Sequence, residues 1–383
     1  MRDFALETFF SEWEFLARHH MTASDIESFS LPELLAMASN ADREAFENQW
    51  LGYTQTYGAP ELRREIAGTF EALEAEDILC FAGAEEGLYA AMRVLLRPED
   101  HAVVVVPNYQ AAETLPLEIC EVSGVALDPE RGWALDPLEV ERQLRPNTRL
   151  VSINFPNNPT GAIPTLEVFD ALVSLCRRRG LYLMSDEVYR QVERDPARRL
   201  PQAADVYERG LSLNVLSKAY GLPGLRVGWI GCRDRDLLEK LERYKHYLSI
   251  CNSAPSERLA LIALRARERI LERNRALLAE NRDLLKGFMD GYPHLFGFEP
   301  PDGGCVAFPR YLGPGSADDF CHRLLQEAGV LLLPPRLYRS ELLETPQDRF
   351  RIGFGRRGLG EGLEALRGHL EARGLAAGRS AAS

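Results

Sequence analysis

Apolar residues recur along the chain at two spacings, and these spacings predict its helices and strands. A helical spacing predicts helices over Phe4–Ala17, Leu31–Ala38, Ala59–Leu73, Leu88–Leu96, Ala111–Ile119, Val168–Arg178, Leu237–Tyr247, Glu257–Tyr292 and Leu359–Ala372. Short, continuous apolar runs predict strands over Ile78–Ala82, Ala102–Val106, Leu150–Phe155, Leu181–Met184, Leu211–Leu216 and Val227–Gly231. The polar residues of Thr22–Ser30 predict a loop, and Trp50–Gly58 is typical of an aromatic turn.

The alternation of strands and helices between residues 78 and 231 predicts an α/β fold. Continuous apolar strands are typical of a mainly parallel sheet that helices cover on both faces. Ligands of such sheets lie beyond the carboxyl ends of the strands. We expect a shared site there, because five polar, aromatic or glycine residues follow the ends of predicted strands: Gly83, Tyr109, Asn158, Asp186 and Lys218.

The chain is long enough for two domains, and the pattern predicts where they divide. We expect residues 51–285 to form a large domain with the sheet, and residues 286–373 a smaller α+β domain. The strands of the smaller domain are predicted over Gly304–Pro309, Val330–Leu333 and Phe350–Phe354. The N-terminal segment, residues 1–50, is assigned to the small domain, and residues 374–383 are expected to form a disordered tail.

Composition narrows the class of protein and its partners. The 383 residues carry a formal net charge of −12, with 45% hydrophobic and 27% charged residues, which is an ordinary globular composition. The negative charge argues against nucleic acid or an anionic membrane as a partner. No apolar run approaches the ~20 residues of a membrane helix, and the acidic start is unlike a secretory signal. Seven cysteines without metal-ligand spacing predict reduced thiols, no metal site and a cytoplasmic location.

The stretch VLSKAYGLPGLRVGW, residues 215–229, carries the strongest candidate chemistry. Lys218 follows an apolar strand, where burial disfavours the charged ammonium and makes the amine nucleophilic. Such a lysine suits a Schiff base with a carbonyl cofactor. Arg226 lies beyond a glycine-rich turn and offers a planar fork for a phosphate. Together the two residues indicate pyridoxal 5′-phosphate (PLP); the alternative is a surface loop with two unrelated basic residues.

Other polar residues fit the ring of that cofactor or its substrate. Asp186 could pair with a protonated pyridine nitrogen, or could be a helix N-cap. Tyr189 and Asn158 could bond the phenolic oxygen; the alternatives are a packed core tyrosine and a plain Asn-Pro turn. Arg351 could clamp a substrate carboxylate or form a surface ion pair, and Arg349 is close enough in sequence to be confused with it.

The remaining candidates lie at two other predicted strand ends. Tyr109 could stack on the pyridine ring, or could pack beneath a helix. The backbone amides of Gly83, Ala84 and Glu85 lie where a strand enters a helix and could cradle the phosphate. Acidic side chains at that place would otherwise simply favour the helix dipole.

The motifs occur in the order YTQTYG, GAEEG, PNY, NNPTG, DEVY, SKAYGLPGLRVGW and RIGF. In this order they resemble the PLP-dependent aminotransferase class I/II family of fold type I, over about residues 53–370. The resemblance implies a large domain with a mainly parallel seven-stranded sheet between helices, PLP as the cofactor, and Lys218 as Schiff-base residue and proton carrier. It implies catalytic residues Lys218, Asp186 and Tyr189, substrate-binding residues Arg351 and Asn158, and cofactor-binding residues Tyr53, Gly83, Ala84, Glu85, Tyr109, Asn158, Asp186, Tyr189, Ser217, Lys218 and Arg226. Tyr53 would reach the phosphate of the neighbouring subunit, which implies a homodimer with shared active sites.

Two departures from the family pattern bear on function. The position three residues before the lysine, usually serine or threonine, is Val215, so one phosphate contact is missing or comes from Asn214 or Ser217. The usual glycine- and proline-containing substrate loop is replaced by SDIESFSLPELL, Ser24–Leu35, which has no glycine. This segment, with AYGLPGLRVGW and PDGGCVAFPRY, resembles the capreomycidine-synthase branch of the family. That resemblance implies reaction at the β or γ carbon of a guanidino amino acid.

The resemblance therefore implies an enzyme of amino acid metabolism that removes a Cα proton after its substrate forms a Schiff base with PLP. We favour elimination or replacement on the side chain of a guanidino amino acid such as canavanine; transamination to a 2-oxo acid is the alternative. Glu7, Glu12, Glu14 and Glu27 are candidate carboxylates for the guanidinium. A PLP-binding transcription regulator is disfavoured, because the region before Tyr53 is short and acidic.

Overall fold

The computed structural model describes residues 2–376. Its helices are α1 Ala5–Trp13, α2 Leu31–Leu35, α3 Asn40–Glu47, α4 Pro60–Ala67, α5 Ala84–Leu95, α6 Ala111–Leu117, α7 Pro137–Gln143, α8 Leu166–Arg179, α9 Ala203–Val206, α10 Arg235–Lys245, α11 Ala254–Arg265, α12 Arg267–Asp290, α13 Ala317–Ala328 and α14 Leu359–Ala372. Its strands are β1 His19–His20, β2 Ile78–Phe81, β3 His101–Val106, β4 Glu121–Ala126, β5 Thr148–Asn154, β6 Tyr182–Asp186, β7 Gly210–Val215, β8 Gly228–Gly231, β9 Phe296–Gly297, β10 Val306–Ala307, β11 Arg310–Tyr311, β12 Val330–Leu331 and β13 Ile352–Gly353. Residues 377–383 of the predicted tail lie outside the described residues.

Seven of the strands form one sheet in the order β2-β8-β7-β6-β5-β3-β4. The pairs β7-β6, β6-β5, β5-β3 and β3-β4 are parallel, and β8 is antiparallel to both β2 and β7. The prediction of an α/β fold with a mainly parallel seven-stranded sheet is therefore confirmed.

Helices cover both faces of this sheet because successive side chains of a strand point to opposite faces. Leu211 and Leu213 of β7 pack with residues of α5 and α10, whereas Val151 and Ile153 of β5 pack with Phe169 of α8. Among the described helices, none combines the length and apolar composition needed to cross a membrane.

The parallel strands end together at one edge of the sheet. β5 ends at Asn154, β6 at Asp186 and β7 at Val215, and the loop after β3 begins at Pro107. Each strand end therefore delivers its following residues to the same place, as the pattern predicted.

Three two-stranded sheets lie outside the central one. β1 pairs in parallel with β12, while β10 pairs with β13 and β9 with β11 in antiparallel fashion. The backbone N–H of Gly353 also donates to the carbonyl of Met21 at 2.8 Å. The N-terminal segment is thus tied to the C-terminal part of the chain. The division into residues 1–50, 51–285 and 286–373 stays a prediction, and this pairing supports it.

The structure departs from the predicted elements in several places, and two of these departures have a clear physical reason. The single helix predicted over Glu257–Tyr292 is two helices, α11 and α12, which meet at Ala266 with φ −95° and ψ 12°. Strand β4 is not predicted because it is an edge strand, whose sequence EVSGVA mixes exposed and buried positions and has no continuous apolar run. By contrast, the helix predicted over Leu359–Ala372 has the same bounds as α14.

Candidate active site

A cavity of about 200 Å³ lies at the carboxyl edge of the central sheet. It brings together nine of the predicted site residues: Ala84, Glu85, Tyr109, Asn158, Asp186, Tyr189, Ser217, Lys218 and Arg226. The other lining residues are Leu88, Asn154, Val188, Leu213, Val215 and Pro223. Residues from five separate stretches of the chain thus share one site, as the strand-end argument predicted.

Lys218 follows β7 and lies at the floor of this cavity. Burial lowers the pKa of its ammonium, and the carboxylate of Asp25 opposes that shift. The Lys218 Nζ donates a hydrogen bond to the Ser24 Oγ at 2.7 Å. A desolvated amine held in this way is suited to form a Schiff base and to accept a proton.

Asp186 ends β6 and faces the same cavity. Burial raises the pKa of its carboxyl to about 6, although the backbone N–H of Val188 and the charge of Lys218 both favour its ionised form. The N–H of Val188 donates to the Asp186 Oδ1 at 3.2 Å. No helix begins at this position, so the helix N-cap interpretation of Asp186 is wrong.

Asn158 and Arg351 meet at the side of the cavity. The Arg351 side chain is only 1% exposed, and its Nη1 donates to the Asn158 Oδ1 at 3.1 Å. Its Nη2 donates to the Thr22 carbonyl at 2.6 Å. The surface ion-pair interpretation of Arg351 is therefore wrong. Arg349 lies elsewhere, with its guanidinium over the Trp133 ring at 4.8 Å.

Tyr189 links the cavity to the N-terminal loop. Its hydroxyl donates to the Ser24 carbonyl at 2.9 Å, and burial raises the pKa of that hydroxyl well above its usual range. The ring also packs against Gly304, where an added Cβ would approach the Tyr189 Cγ within 3.3 Å. A bond from Tyr189 to a cofactor oxygen stays a prediction.

Gly83, Ser217 and Arg226 form a cradle at the entrance to α5. Gly83 has φ +100°, and a Cβ there would lie 2.4 Å from the Arg226 Nη2. The Arg226 Nη1 donates to the Ser217 Oγ at 3.4 Å. Asn214 faces the other way, since its amide donates to the Gln202 Oε1 at 3.2 Å. Val215 carries no hydroxyl for a phosphate, and of the two residues that could replace it, only Ser217 lines the cavity.

Tyr109 and Glu85 bound the cavity on the side of the N-terminal helix α1. The Tyr109 hydroxyl donates to the Glu7 Oε1 at 3.3 Å, and the Phe4 and Tyr109 rings lie 5.4 Å apart. Burial, followed by the charges of Glu7 and Asp186, raises the pKa of the Glu85 carboxyl to about 7. An acidic group thus occupies a wall of the cavity.

Tyr53 is the predicted site residue that the chain by itself does not bring to the cavity. Its side chain is 85% exposed, and its neighbours Trp50 and Leu51 are exposed by 81% and 78%. A contact between Tyr53 and a phosphate in a second subunit stays a prediction.

Sequence reasoning missed two residues of the site. Ser24 contacts both Lys218 and Tyr189, and Asn154 donates through its amide to the Asp186 carbonyl at 3.0 Å. Asn154 could have been found, because it lies near the end of a predicted strand. Ser24 lies in the loop that lacks the usual glycine, but its contact with Lys218 joins positions 194 residues apart.

The residues present fit PLP. Lys218 is desolvated and reaches the cavity, and Asp186 supplies a carboxylate. At Gly83 the chain approaches Arg226 so closely that an added Cβ would lie 2.4 Å from its Nη2. The cradle also lies at a helix N-terminus, where backbone amides favour a phosphate.

Comparisons with known proteins agree with this geometry. The family described as aminotransferase class I and II matches residues 28–364. Capreomycidine synthase of Streptomyces vinaceus is 31% identical over 366 residues, which cover 94% of this chain and 92% of that protein. Arginine–pyruvate transaminase of Pseudomonas aeruginosa is 33% identical over 300 residues, 73% of each chain.

Solved structures show the same fold over almost the whole chain. A PLP-dependent aminotransferase from Streptococcus suis superposes with a TM-score of 0.90 and 30% identity, covering 97% of this chain and 98% of its own. The PLP-dependent cyclase OrfR superposes with a TM-score of 0.87 and 25% identity, with the same coverage.

Proposed function

We propose the reaction of this chain from the premise that it belongs to the aminotransferase class I and II family and is a PLP-dependent enzyme. The proposed reaction eliminates or replaces a side-chain group of a guanidino-type amino acid. The reaction would take place at Cβ or Cγ, and canavanine is the substrate that we would test first. Capreomycidine synthase and the cyclase OrfR, which match nearly the full chain, are named for reactions other than amino-group transfer.

The observation that carries the proposal is the contact between Ser24 and Lys218. Ser24 belongs to the glycine-free loop that replaces the usual substrate loop, and its Oγ lies 2.7 Å from the Lys218 Nζ. The loop is also held by Arg351 at Thr22 and by the ion pair between Asp25 and Arg356 at 2.9 Å. A hydroxyl beside the general base offers a second group for handling protons, which a reaction at Cβ or Cγ needs beyond the first deprotonation.

Each residue has a role that follows from its position. PLP, when bound, would supply an electron sink that acidifies the Cα–H of the substrate. The Arg351 guanidinium would hold the substrate carboxylate, and the carboxylate of Asp186 would hold the pyridine nitrogen protonated. The Lys218 amine would take the Cα proton as general base, an effect of typically 10²–10⁴-fold in rate. Arg226 and Ser217 would hold the phosphate end.

Transamination is the second candidate, and one relative favours it. Arginine–pyruvate transaminase, which by its name uses arginine, is 33% identical to this chain. The same site would serve both reactions, because both begin with the removal of the Cα proton.

We infer no regulatory role from the N-terminal region. Met21, Ile26 and Leu34 are buried in the main hydrophobic core with residues from the rest of the chain. Within the described residues this region is therefore part of the enzyme fold rather than a separate binding module.

The working unit would be a homodimer, and an exposed apolar surface supports this. Trp50, Leu51 and Tyr53 are largely exposed, as is Tyr247 at 89%. The Thr54 Oγ1 donates to the Asn252 carbonyl at 2.9 Å, which ties the segment of Tyr53 to that of Tyr247. Large apolar residues grouped in this way are typical of an interaction surface.

The reaction is tested with the purified holoenzyme and canavanine, arginine and common amino acids, each with and without an added 2-oxo acid. Canavanine is informative because its Cγ–O bond has a better leaving group than the Cγ–C bond of arginine. We expect turnover of a guanidino amino acid without any acceptor. Strict dependence on a 2-oxo acid, with one amino acid formed for each amino group consumed, would make the protein a transaminase.

The cofactor assignment is tested separately by borohydride reduction of the holoenzyme and peptide mapping. The reduced cofactor should be attached to Lys218, whose desolvated amine reaches the cavity. A labelled peptide that carries another lysine, such as the buried Lys245, would contradict the assignment.

A further inference from the structure

Two carboxylates, those of Glu7 and Glu85, lie beside Tyr109 at the candidate active site. Glu85, in the first turn of α5, lines the cavity, and Glu7 of α1 reaches the hydroxyl of Tyr109, which lines it too. Among the described residues, neither glutamate forms an ion pair. Glu7 is close enough to Glu85 to contribute, after burial, to the raised pKa of its carboxyl. Like charges held together in this way are costly unless a ligand compensates them.

The position of Glu7 is built into the fold. The Phe4 ring packs on Tyr109, and the buried Leu6 side chain is 2% exposed. The Gln110 side chain accepts from the N–H of Leu6 at 3.4 Å and donates to the carbonyl of Asp3 at 2.7 Å. These contacts fasten α1 to the loop that follows β3, so that the exposed Glu7 side chain reaches the Tyr109 hydroxyl.

The other acidic candidates are used elsewhere. Glu14 lies 3.6 Å from the His20 ring, and the Glu27 carboxylate accepts from the N–H of Arg357 at 3.0 Å. Glu12 is exposed on α1. Of the four glutamates considered from the sequence, Glu7 is the one that contacts a residue of the cavity.

We infer that Glu7 and Glu85 together bind the cationic end of the substrate side chain, and so select a guanidinium over a neutral group of the same shape. This inference rests on the proposed function, which supplies the guanidino substrate. Two carboxylates can share the planar donors of a guanidinium. A neutral analogue would leave both carboxylates without a cationic partner in a partly desolvated cavity, and such a site discriminates strongly against it.

The arrangement also leaves each end of the substrate with its own partner. Arg351, which contacts Asn158, would hold the carboxylate, and Lys218 would lie at the reaction centre, while Glu85 and Glu7 lie beside Tyr109. Opposite charges at separate places fix the orientation of an amino acid with a cationic side chain, because the reversed orientation would pair like charges.

The test compares arginine with citrulline, whose ureido group has a similar shape and no charge. Dissociation constants are measured for the holoenzyme by rapid-mixing absorbance of the bound cofactor, and turnover is measured in parallel. Wild type should bind arginine roughly ten- to hundredfold more tightly than citrulline. Glu7→Gln and Glu85→Gln should each reduce this preference, and the double variant should bring it to within about threefold.

Glu12→Gln is the matched control. Glu12 lies on the same helix and is exposed like Glu7, but among the described residues it makes no hydrogen bond to a residue of the cavity. This variant should keep the wild-type preference. Cofactor content is measured for every variant, because Glu85 also lies near Arg226. A double variant that keeps the wild-type preference for arginine, or changes only its cofactor content, would overturn the inference.

A lysine and norleucine pair separates this inference from the proposed function. If wild type does not prefer arginine but prefers lysine, and the double variant loses that preference, the cation site is right and the guanidino substrate is wrong. If wild type prefers neither cation over its neutral counterpart, the cation site is wrong.

Discussion

At the scale of single residues, the site is defined by groups whose ordinary ionisation is altered by burial. Lys218 has a lowered pKa, and the pKa values of Asp186 and Glu85 are raised to about 6 and about 7. Perturbed groups that converge in a cavity are typical of functional sites. Ser24 also belongs to the site, since its hydroxyl accepts a hydrogen bond from the Lys218 ammonium.

We expect Ser24→Ala to lower kcat roughly tenfold or more while KM changes little, because the Lys218 amine loses the partner that orients it. Ser24→Thr keeps a hydroxyl and should restore most of the activity. Steady-state kinetics check both variants, and borohydride mapping should still find the cofactor on Lys218. Equal losses in the alanine and threonine variants would show that bulk in the loop matters rather than the hydroxyl.

At the scale of elements, the junctions between strands and helices position the site. Gly83 connects β2 to α5 with φ +100°, a conformation that side chains disfavour. The φ of Arg226 is also positive, at 51°. Two unusual backbone conformations thus place the Arg226 guanidinium against the start of α5.

Gly83→Ala should weaken cofactor binding roughly tenfold or more, because its Cβ would lie 2.4 Å from the Arg226 Nη2 and the backbone is strained. Gly224→Ala is the control, since a Cβ there would meet no atom within 4 Å. Equilibrium dialysis of PLP checks both. If the two variants retain the cofactor equally, the cradle is not at Gly83.

Glu187 follows β6 and links that strand to α9 and β7. Its carboxylate accepts from the N–H of Ala203 in α9 and from the Ser212 hydroxyl in β7, each at 2.9 Å. Burial raises the pKa of its carboxyl to about 7 from a usual 4.5. The folded state therefore holds a proton that the unfolded chain releases. Stability from this group is complete below about pH 4.5 and is lost as pH rises through about 7.

Glu187→Gln should weaken the pH dependence of the unfolding free energy, because an amide does not ionise. Between pH 5 and 8 the variant should lose roughly 2–3 kcal/mol less unfolding free energy than wild type does. Urea unfolding at several pH values checks it. Glu71→Gln, at an exposed position, should show the same change of unfolding free energy with pH as wild type. If the unfolding free energy of Glu187→Gln changes with pH as steeply as that of wild type, Glu187 is ionised over the whole range from pH 5 to 8.

At the scale of the whole molecule, the described residues form the cavity and an exposed apolar surface that includes Tyr53. Nine predicted residues line the cavity, while Tyr53 lies outside it. An assembly in which a second chain supplies Tyr53 would explain both observations.

Mixed dimers test this assembly. One chain carries Tyr53→Phe, which should weaken cofactor retention modestly, and the other Arg226→Ala, which should weaken it severely because a charged partner of the phosphate is removed. If Tyr53 crosses to the partner, one site has both defects and the other is intact, so half of the PLP should be held as in wild type. Dialysis of the mixed dimer measures this. One modestly and one severely impaired site, with no site that holds PLP as in wild type, would contradict the intersubunit contact.

The amino-acid sequence by itself determined the fold and the inner residues of the site. Continuous apolar strands alternating with amphipathic helices dictate a parallel sheet, and parallel strands bring their following residues to one edge. Lys218, Asp186 and Asn158 could therefore be placed together from local patterns alone.

Only the tertiary structure decided the contacts made across long separations in sequence. It brought Ser24 to Lys218, separated Arg351 from Arg349, and selected Glu7 among four glutamates. No local pattern encodes these contacts, because loops and helix faces are placed by packing against distant elements rather than by their own periodicity. The break at Ala266 has the same origin, since a helical pattern continues across it while the backbone turns.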